Sequence, residues 1–148
     1  MTLNIRKAVP DDLPQVHEMI GLLARHHGDE TTISLQTLHR QVFELGLARI
    51  FVAAEEEGLV GYALLLTRPN LVTGGVGHDI NHLFVMEWRR KAGIGRALIA
   101  AARAAAQAEG SEMLTIGTHW KNLGAQSAYR DMGLEEVTYG PRFRVALG

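Results

Sequence analysis

Residues Ile80–Leu98 read INHLFVMEWRRKAGIGRAL. An apolar run passes into a short basic turn, and the two glycines of that turn open a second apolar run at helical spacing. Strand, turn and helix in this order put the helix N-terminus at the end of the strand. The first N–H groups of a helix have no partner within it and point out of its end, and the helix dipole adds partial positive charge there. Gly93 and Gly95 carry no Cβ, so the backbone can turn tightly and come close to a ligand. Arg89, Arg90, Lys91 and Arg96 add full charges, with Glu87 as the nearby acid. The stretch predicts an anion cradle whose natural guest is a diphosphate. It is not a P-loop, because no Gly-Lys-Ser/Thr follows, and its glycine spacing and late position do not fit a dinucleotide fingerprint. Two glycines at a helix start also serve as plain packing, and the turn alone leaves that reading open.

Outward from this stretch the chain alternates strands and helices. Leu3 to Val9 reads as a strand, broken by Pro10, Asp11 and Asp12; Leu13, Val16, Ile20 and Leu23 then form one helical face. A polar loop, His26 to Ser34, follows, and Ser34 can cap a second helix with Leu35, Leu38, Val42 and Leu45 on its stripe and Gly46 at its end. Arg49 to Glu55 and Leu59 to Thr67 read as strands joined at Glu56, Glu57 and Gly58, so that Glu55 to Glu57 form a solvated tip. After a loop, Arg68 to Gly77, a long strand runs from His78 to Met86. The glycine-turn helix spans Gly93 to Glu109, with Ile94, Ala97, Leu98, Ala101, Ala105 and Ala108 on its buried face. Glu112 to Gly117 is a short strand, Asn122 to Met132 a helix stopped by Gly133, and Arg142 to Leu147 an alternating final strand. The order β-α-α-β-β-β-α-β-α-β predicts one α/β domain over residues 1–148, built on a mixed sheet.

Composition narrows the function classes. At 148 residues and 47% hydrophobic, the chain has enough apolar surface for a real core. Its formal charge of −1 argues against general nucleic-acid binding, while the basic cluster suits a polyanionic small molecule. The sequence holds no cysteine, which removes disulfides, thiol catalysis and cysteine-based metal sites. MTLNIRKAVPDDLP has neither the apolar core nor the cleavage site of a signal peptide, and no apolar run approaches the roughly 20 residues of a membrane span. A soluble, cytoplasmic protein is expected, with no nucleic-acid or membrane partner.

A second motif, Asn122-x-x-Ala125-x-x-x-Tyr129-x-x-x-Gly133, spans the last helix. Tyr129 follows Asn122 by about two helical turns, so both face one side with small Ala125 between them. Taken alone, Tyr129 reads equally well as a core residue with a wet hydroxyl. Together, in this order and separation, Arg90-x-x-Gly93-x-Gly95 and the Asn/Tyr helix resemble the GNAT superfamily of N-acetyltransferases over nearly the whole chain. HHGDE (residues 26–30), LFVM (residues 83–86) and WKN (residues 120–122) are more loosely similar to its spermidine/spermine acetyltransferase branch.

The resemblance implies a mixed, mostly antiparallel central sheet splayed at its middle and flanked by about four helices. It implies acetyl-CoA as cosubstrate and no metal. The pyrophosphate would lie on the backbone of Lys91, Ala92, Gly93, Ile94, Gly95 and Arg96, flanked by Arg90 and Ala97. Leu83, Phe84 and Val85 would present main-chain groups to the pantetheine arm, and Asn122 would hydrogen-bond the same arm. Tyr129 matches the family's general acid, whereas Tyr62 and Tyr139 match no motif and read as packing residues.

Acetyl transfer also needs a neutral amine, hence a base or a water chain. Asp79 falls where several family members place a catalytic acid, and it acts directly or through water; it reads equally as a strand-start aspartate. Asn81 stands where the polyamine branch has a glutamate, and an amide is no base. Unbroken alternation puts Asp79, Asn81, Leu83 and Val85 on one strand face, with His78 and His82 on the other. Of the seven histidines, His82 and His119 are candidate bases or substrate contacts, and none has a metal-site spacing. Asp29 and Glu30 would line an acceptor wall or be solvated, and Trp120 would line the cleft or pack its loop.

With no cysteine to carry an acyl group, direct attack in a ternary complex is expected. The acceptor would be a primary amine of a small molecule. A protein N-terminus or lysine, a non-catalytic acyl-CoA sensor and a different nucleotide-binding enzyme are the alternatives. Family members often dimerise, and the Arg142–Leu147 strand would serve a homodimer.

Overall fold

A computed structural model describes residues 2–137 and 140–148. The chain divides into two compact units, Met1–Gly117 and Thr118–Gly148.

The first unit is a five-stranded sheet in the order β1-β2-β3-β4-β5. β1 (Asn4–Lys7), β2 (Arg49–Glu55), β3 (Gly58–Pro69) and β4 (Val76–Val85) pair antiparallel, and β5 (Ser111–Ile116) joins β4 in parallel. The expected mixed, mostly antiparallel sheet is therefore present. β2 and β3 are apolar almost throughout because both of their faces are covered. One face carries Ile50, Val52, Tyr62, Leu64 and Phe84, packed with Leu13, Val16, Met19 and Ile20 of α1 (Leu13–His26) and Leu38 of α2 (Leu35–His39). The other face carries Phe51, Ala63, Leu65 and Ile80 and receives α3 (Ile94–Ala108). Gly61 lets α3 sit close: a Cβ there would lie 2.8 Å from the Phe84 carbonyl oxygen and 3.3 Å from Leu98 Cδ1.

β1 hands over to α1 through a 3₁₀ turn at Pro10–Asp12. Asp12 is buried, accepts two hydrogen bonds from Arg6 at 2.6 and 3.0 Å, and takes the Val9 N–H at 2.8 Å. The Arg6 guanidinium holds this carboxyl below the usual aspartate range, against the opposing effect of burial. Ser34 caps α2 as expected, accepting from Thr37 N. The expected α2 stripe is only half buried, because α2 widens after one turn into a π-helical turn at Arg40–Glu44 and its phase shifts. Leu38 and Val42 reach the core, while Leu35 and Leu45 stay exposed. In α3 the buried stripe is Ile94, Leu98, Ile99, Ala102 and Ala106, one position round from the expected alanines. An alanine-rich helix marks its own face weakly.

The feature that governs the site is a register shift in β4. Ile80 pairs with Leu65 and His82 with Leu64, so Asn81 is an extra residue, a β-bulge. The bulge reverses side-chain parity. Asp79, His82 and Phe84 share the α1/α2 face with Leu66, Leu64 and Tyr62, whereas His78, Ile80, Leu83 and Val85 share the α3 face. The expected grouping of Asp79 with Leu83 and Val85, opposite His82, is thereby corrected.

In the second unit, α4 (Leu123–Asp131) is the one regular element among the described residues. Its Schellman-like end uses Gly133, at φ +85°, with Leu134 N–H donating to Tyr129 O. The expected strand at Arg142–Leu147 does not form, and Phe143, Val145 and Leu147 are exposed. Alternation alone cannot make a strand without a partner for its backbone groups, and this unit has no other strand among the described residues. Tyr139 lies outside the described residues.

Candidate active site

β5 pairs with β4 only from Val76 to Ile80. Beyond that point, among the described residues, no strand pairs with Asn81–Val85 on the side away from β3. β5 ends at Ile116, opposite Ile80, so the main-chain groups of Leu83 and Val85 lie along a stretch of β4 with no strand partner on that side, whereas those of Phe84 face β3. β4 then turns through a 3₁₀ turn at Glu87–Arg89 into the glycine stretch.

Lys91 has φ +63°, the one left-handed non-glycine among the described residues, and Gly93 follows at φ +82° as the N-cap of α3. A left-handed lysine stores roughly 1–2 kcal/mol of strain, the sort of outlier that collects at ligand sites. A tight turn with left-handed residues can aim successive N–H groups at one point. The first helical hydrogen bond runs from Ala97 N–H to Gly93 O at 3.0 Å, so the N–H groups of Ile94, Gly95 and Arg96 have no acceptor within the helix. Gly95 is the telling residue. It has no positive φ, and a Cβ there would meet only Val85 Cγ2, at an ordinary 3.8 Å. Neither backbone conformation nor packing asks for glycine at this helix position. The missing side chain keeps the helix mouth clear.

The basic cluster is not uniform. Arg89 binds Glu55 through two hydrogen bonds, at 2.7 and 3.0 Å, and the Glu55 side chain is only 4% exposed. Arg89 is therefore a structural cation and leaves the cradle charge to its neighbours. Glu55 is correspondingly no solvated tip, unlike Glu56 and Glu57, which are exposed. Arg90 donates from Nε to Val85 O at 3.0 Å and lies over the Phe84 ring at 5.8 Å, which ties the turn to the open strand. Lys91 and Arg96 are exposed.

Asp79 is half-buried and accepts the Thr115 hydroxyl at 2.6 Å across the β4–β5 pair. On the same face, Tyr62 is fully buried, and its hydroxyl lies 3.0 Å from His82 Nδ1. Sequence reading missed this pair, as it missed Thr115 and Glu55. His78, on the α3 face, is buried with neither ring nitrogen hydrogen-bonded; its Nε2 lies 3.5 Å from Glu109 Oε1. Burial, and then Arg49, hold its imidazole below the ordinary value. Asp29 and Glu30 are exposed in the α1–α2 loop. Among the described residues no group of three or more His, Cys, Asp or Glu could hold a metal ion, and no helix is long and apolar enough to cross a membrane.

In the second unit, Asn122 is the N-cap of α4, its Oδ1 accepting from Ala125 N–H at 3.1 Å. Its amide nitrogen takes no part in that cap. Tyr129 is half-buried, and burial pushes its phenol above the ordinary tyrosine value. Trp120 is 73% exposed, stacked on His119 with Lys121 Nζ 5.0 Å from its ring centre.

The family model "Acetyltransferase (GNAT) family" matches residues 16–134. The chain belongs to the GNAT family of acetyltransferases. It is 33% identical over 137 residues to the "Uncharacterized N-acetyltransferase YhfO" of Bacillus subtilis (strain 168), covering 92% of each chain. Its fold superposes on an aminoglycoside acetyltransferase, meta-AAC0020, from an uncultured soil metagenomic sample, with a TM-score of 0.83 at 20% identity over 99% of this chain and 97% of that one. It also superposes on the ribosomal-protein-alanine N-acetyltransferase of Brucella melitensis biovar Abortus 2308, with a TM-score of 0.78 at 16% identity over 98% and 100%. GNAT proteins use acetyl-CoA, and this chain is an acetyltransferase of that family.

Proposed function

We propose that this acetyltransferase moves the acetyl group of acetyl-CoA to a primary amine of a small molecule by direct attack in a ternary complex, as one domain over residues 1–148. The observation that carries the reading is the unobstructed mouth of α3 at Gly95, set against Val85 at the end of an unpaired strand edge. The two features suit the two halves of the cosubstrate, a diphosphate and an amide-bearing arm. When bound, acetyl-CoA supplies a thioester-activated acetyl group. The N–H groups from Lys91 to Arg96, with the dipole of α3 and the charges of Arg90, Lys91 and Arg96, would hold the diphosphate. Leu83 and Val85 would hydrogen-bond the arm as an added strand does, and the Asn122 amide would donate to it.

Tyr129 would face the leaving sulfur. A thiol ionises near 8.5 and a phenol near about 10, and burial moves Tyr129 higher still. Such a phenol is protonated at neutral pH and donates its hydrogen bond as charge develops on sulfur. Asp79 would accept the amine proton, directly or through water, with Thr115 holding one carboxylate oxygen. A cytoplasmic location and a homodimer belong to the same proposal, and a protein N-terminus or lysine is the alternative acceptor.

Calorimetry with coenzyme A, followed by thiol release from acetyl-CoA across a panel of amines, tests this reading. Coenzyme A is expected to give heat, and at least one amine to give turnover that Tyr129→Phe slows by roughly 10²-fold or more. No heat with coenzyme A would sink the proposal. Binding without transfer to any amine would replace the enzyme by an acyl-CoA-binding module.

A further inference from the structure

The pair Tyr62–His82 has no part in the reading above. It lies in the regular run of the β3–β4 ladder, on the Val85 side of the bulge at Asn81. Tyr62 pairs with Phe84 and Leu64 with His82, so Tyr62 and His82 are diagonal neighbours on one face, their rings edge to face with centroids 5.9 Å apart. Burial pushes the Tyr62 hydroxyl far above the ordinary tyrosine value, so it keeps its proton. Burial, and then the charge of His27 in the α1–α2 loop, pull the His82 imidazole down, so the ring is neutral at pH 7.

A neutral imidazole carries one proton on one of two nitrogens. With the proton on Nδ1, Tyr62 would have to accept, and its own O–H would be buried with no other partner among the described residues. That arrangement carries the full desolvation penalty of a buried donor. With the proton on Nε2, Tyr62 donates to the Nδ1 lone pair and both groups are satisfied. The second arrangement wins, and the chemistry of His82 follows from it. Its outward nitrogen bears a hydrogen and has no hydrogen-bond partner among the described residues, while the ring is partly exposed. A nitrogen that already holds a proton donates and cannot act as the base.

His82 lies on the same β4 face as Asp79, just beyond the point where β5 stops pairing. We propose that Tyr62 locks His82 in its Nε2–H form, and that this N–H recognises an oxygen atom next to the acceptor amine. The acceptor is then an amine with a carboxylate, carbonyl or hydroxyl beside it, such as an amino acid or amino sugar, and not a bare aliphatic polyamine. The substrate role rests on the acetyltransferase reading above; the locked tautomer does not. Sites built to hydrogen-bond a substrate oxygen discriminate strongly against analogues that lack it.

Two-bond ¹H–¹⁵N NMR of histidine-labelled protein reads the tautomer without any substrate, with His82 assigned from the signal lost in His82→Gln. The Nε2–H pattern is expected, relaxing to a mixture in Tyr62→Phe, which keeps the ring; thermal unfolding of each variant shows that it is folded. In parallel, acetyl transfer is compared on an amino acid, its amino alcohol and the alkylamine of equal length. The oxygenated acceptors should be favoured at least tenfold in kcat/KM, with the difference in KM. His82→Gln, which keeps a terminal N–H, should retain most of that ratio, and His82→Ala should bring it near unity. An Nδ1–H pattern overturns the lock and leaves the acetyltransferase reading intact. An equal loss on all three amines in His82→Gln, with the acid limb of the pH profile gone, overturns the recognition role and makes His82 a base. No transfer to any amine by the wild type removes the acetyltransferase reading and the substrate role with it.

Discussion

Arg89 sits in the middle of the basic cluster, yet the structure separates it from its neighbours, and Arg89→Ala tests that separation. Its guanidinium makes two hydrogen bonds to Glu55, which is 4% exposed, while Arg89 itself keeps 23% of its side chain in water. Removing one partner of a fully buried pair costs about 3–5 kcal/mol, and an exposed pair is worth about 0–1 kcal/mol. A pair with one buried and one partly wet partner falls between these limits, at about 2 kcal/mol. For a chain of this size that lowers Tm by roughly 4–8 °C. Urea denaturation should show the same loss as a lower midpoint at unchanged slope. Arg89→Ala/Glu55→Leu, which leaves no orphaned carboxylate, should recover most of it. The affinity for coenzyme A by calorimetry, and its slope against salt, should change less than threefold, because the charge removed is already matched. Lys91→Gly should do the reverse, weakening coenzyme A binding with no loss of Tm. If Arg89→Ala keeps its Tm and loses coenzyme A affinity tenfold, the division of labour in the cluster is wrong.

Three further outcomes are expected. Gly61→Ala places a Cβ 2.8 Å from the Phe84 carbonyl oxygen and must shift α3 or β4, so it should cost about 1–3 kcal/mol in urea denaturation. Asn122→Ala removes the cap of α4 and should lower helix content by circular dichroism, at about 1 kcal/mol. The third concerns acid. The folded-state values of His78 and His82 are depressed by burial, so their contribution to stability is fully present above the ordinary imidazole value of about 6.5. It falls as pH drops through the lowered folded values, because the unfolded state binds more protons in that window. His78→Leu should flatten part of that fall in Tm, and a steeper fall would contradict the assignment.

Much of the fold could be read from residue order because its punctuation is strong. Gly46, Gly93 and Gly133 have positive φ at helix ends, and Ser34 and Asn122 cap with their side chains. The Arg90–Gly95 turn was legible for the same reason. What escaped reading depends on pairing. Asn81 looks like any polar strand residue, and only its partner strand reveals it as an insertion; a one-residue offset then misplaced Asp79 and His82 relative to each other. Tyr62 reads as core and is core, but the atom that matters is its hydroxyl, whose partner lies diagonally across two strands. Glu55 looked solvated because nothing local marks Arg89 as its partner. Arg142–Leu147 alternates well enough for a strand, but pairing is not a local property of the chain.

The extra residue in β4 has a meaning for how such a protein can change. Downstream of Asn81, Leu83, Phe84 and Val85 keep their phase relative to the glycine turn; upstream, Asp79 keeps its phase relative to Thr115. The kink takes up the extra residue locally, so the two half-strands hold their phases on either side of it. Deleting Asn81 would make Ile80 and His82 neighbours on the faces they already occupy, so both half-strands would keep their patterns and only the local kink would be lost.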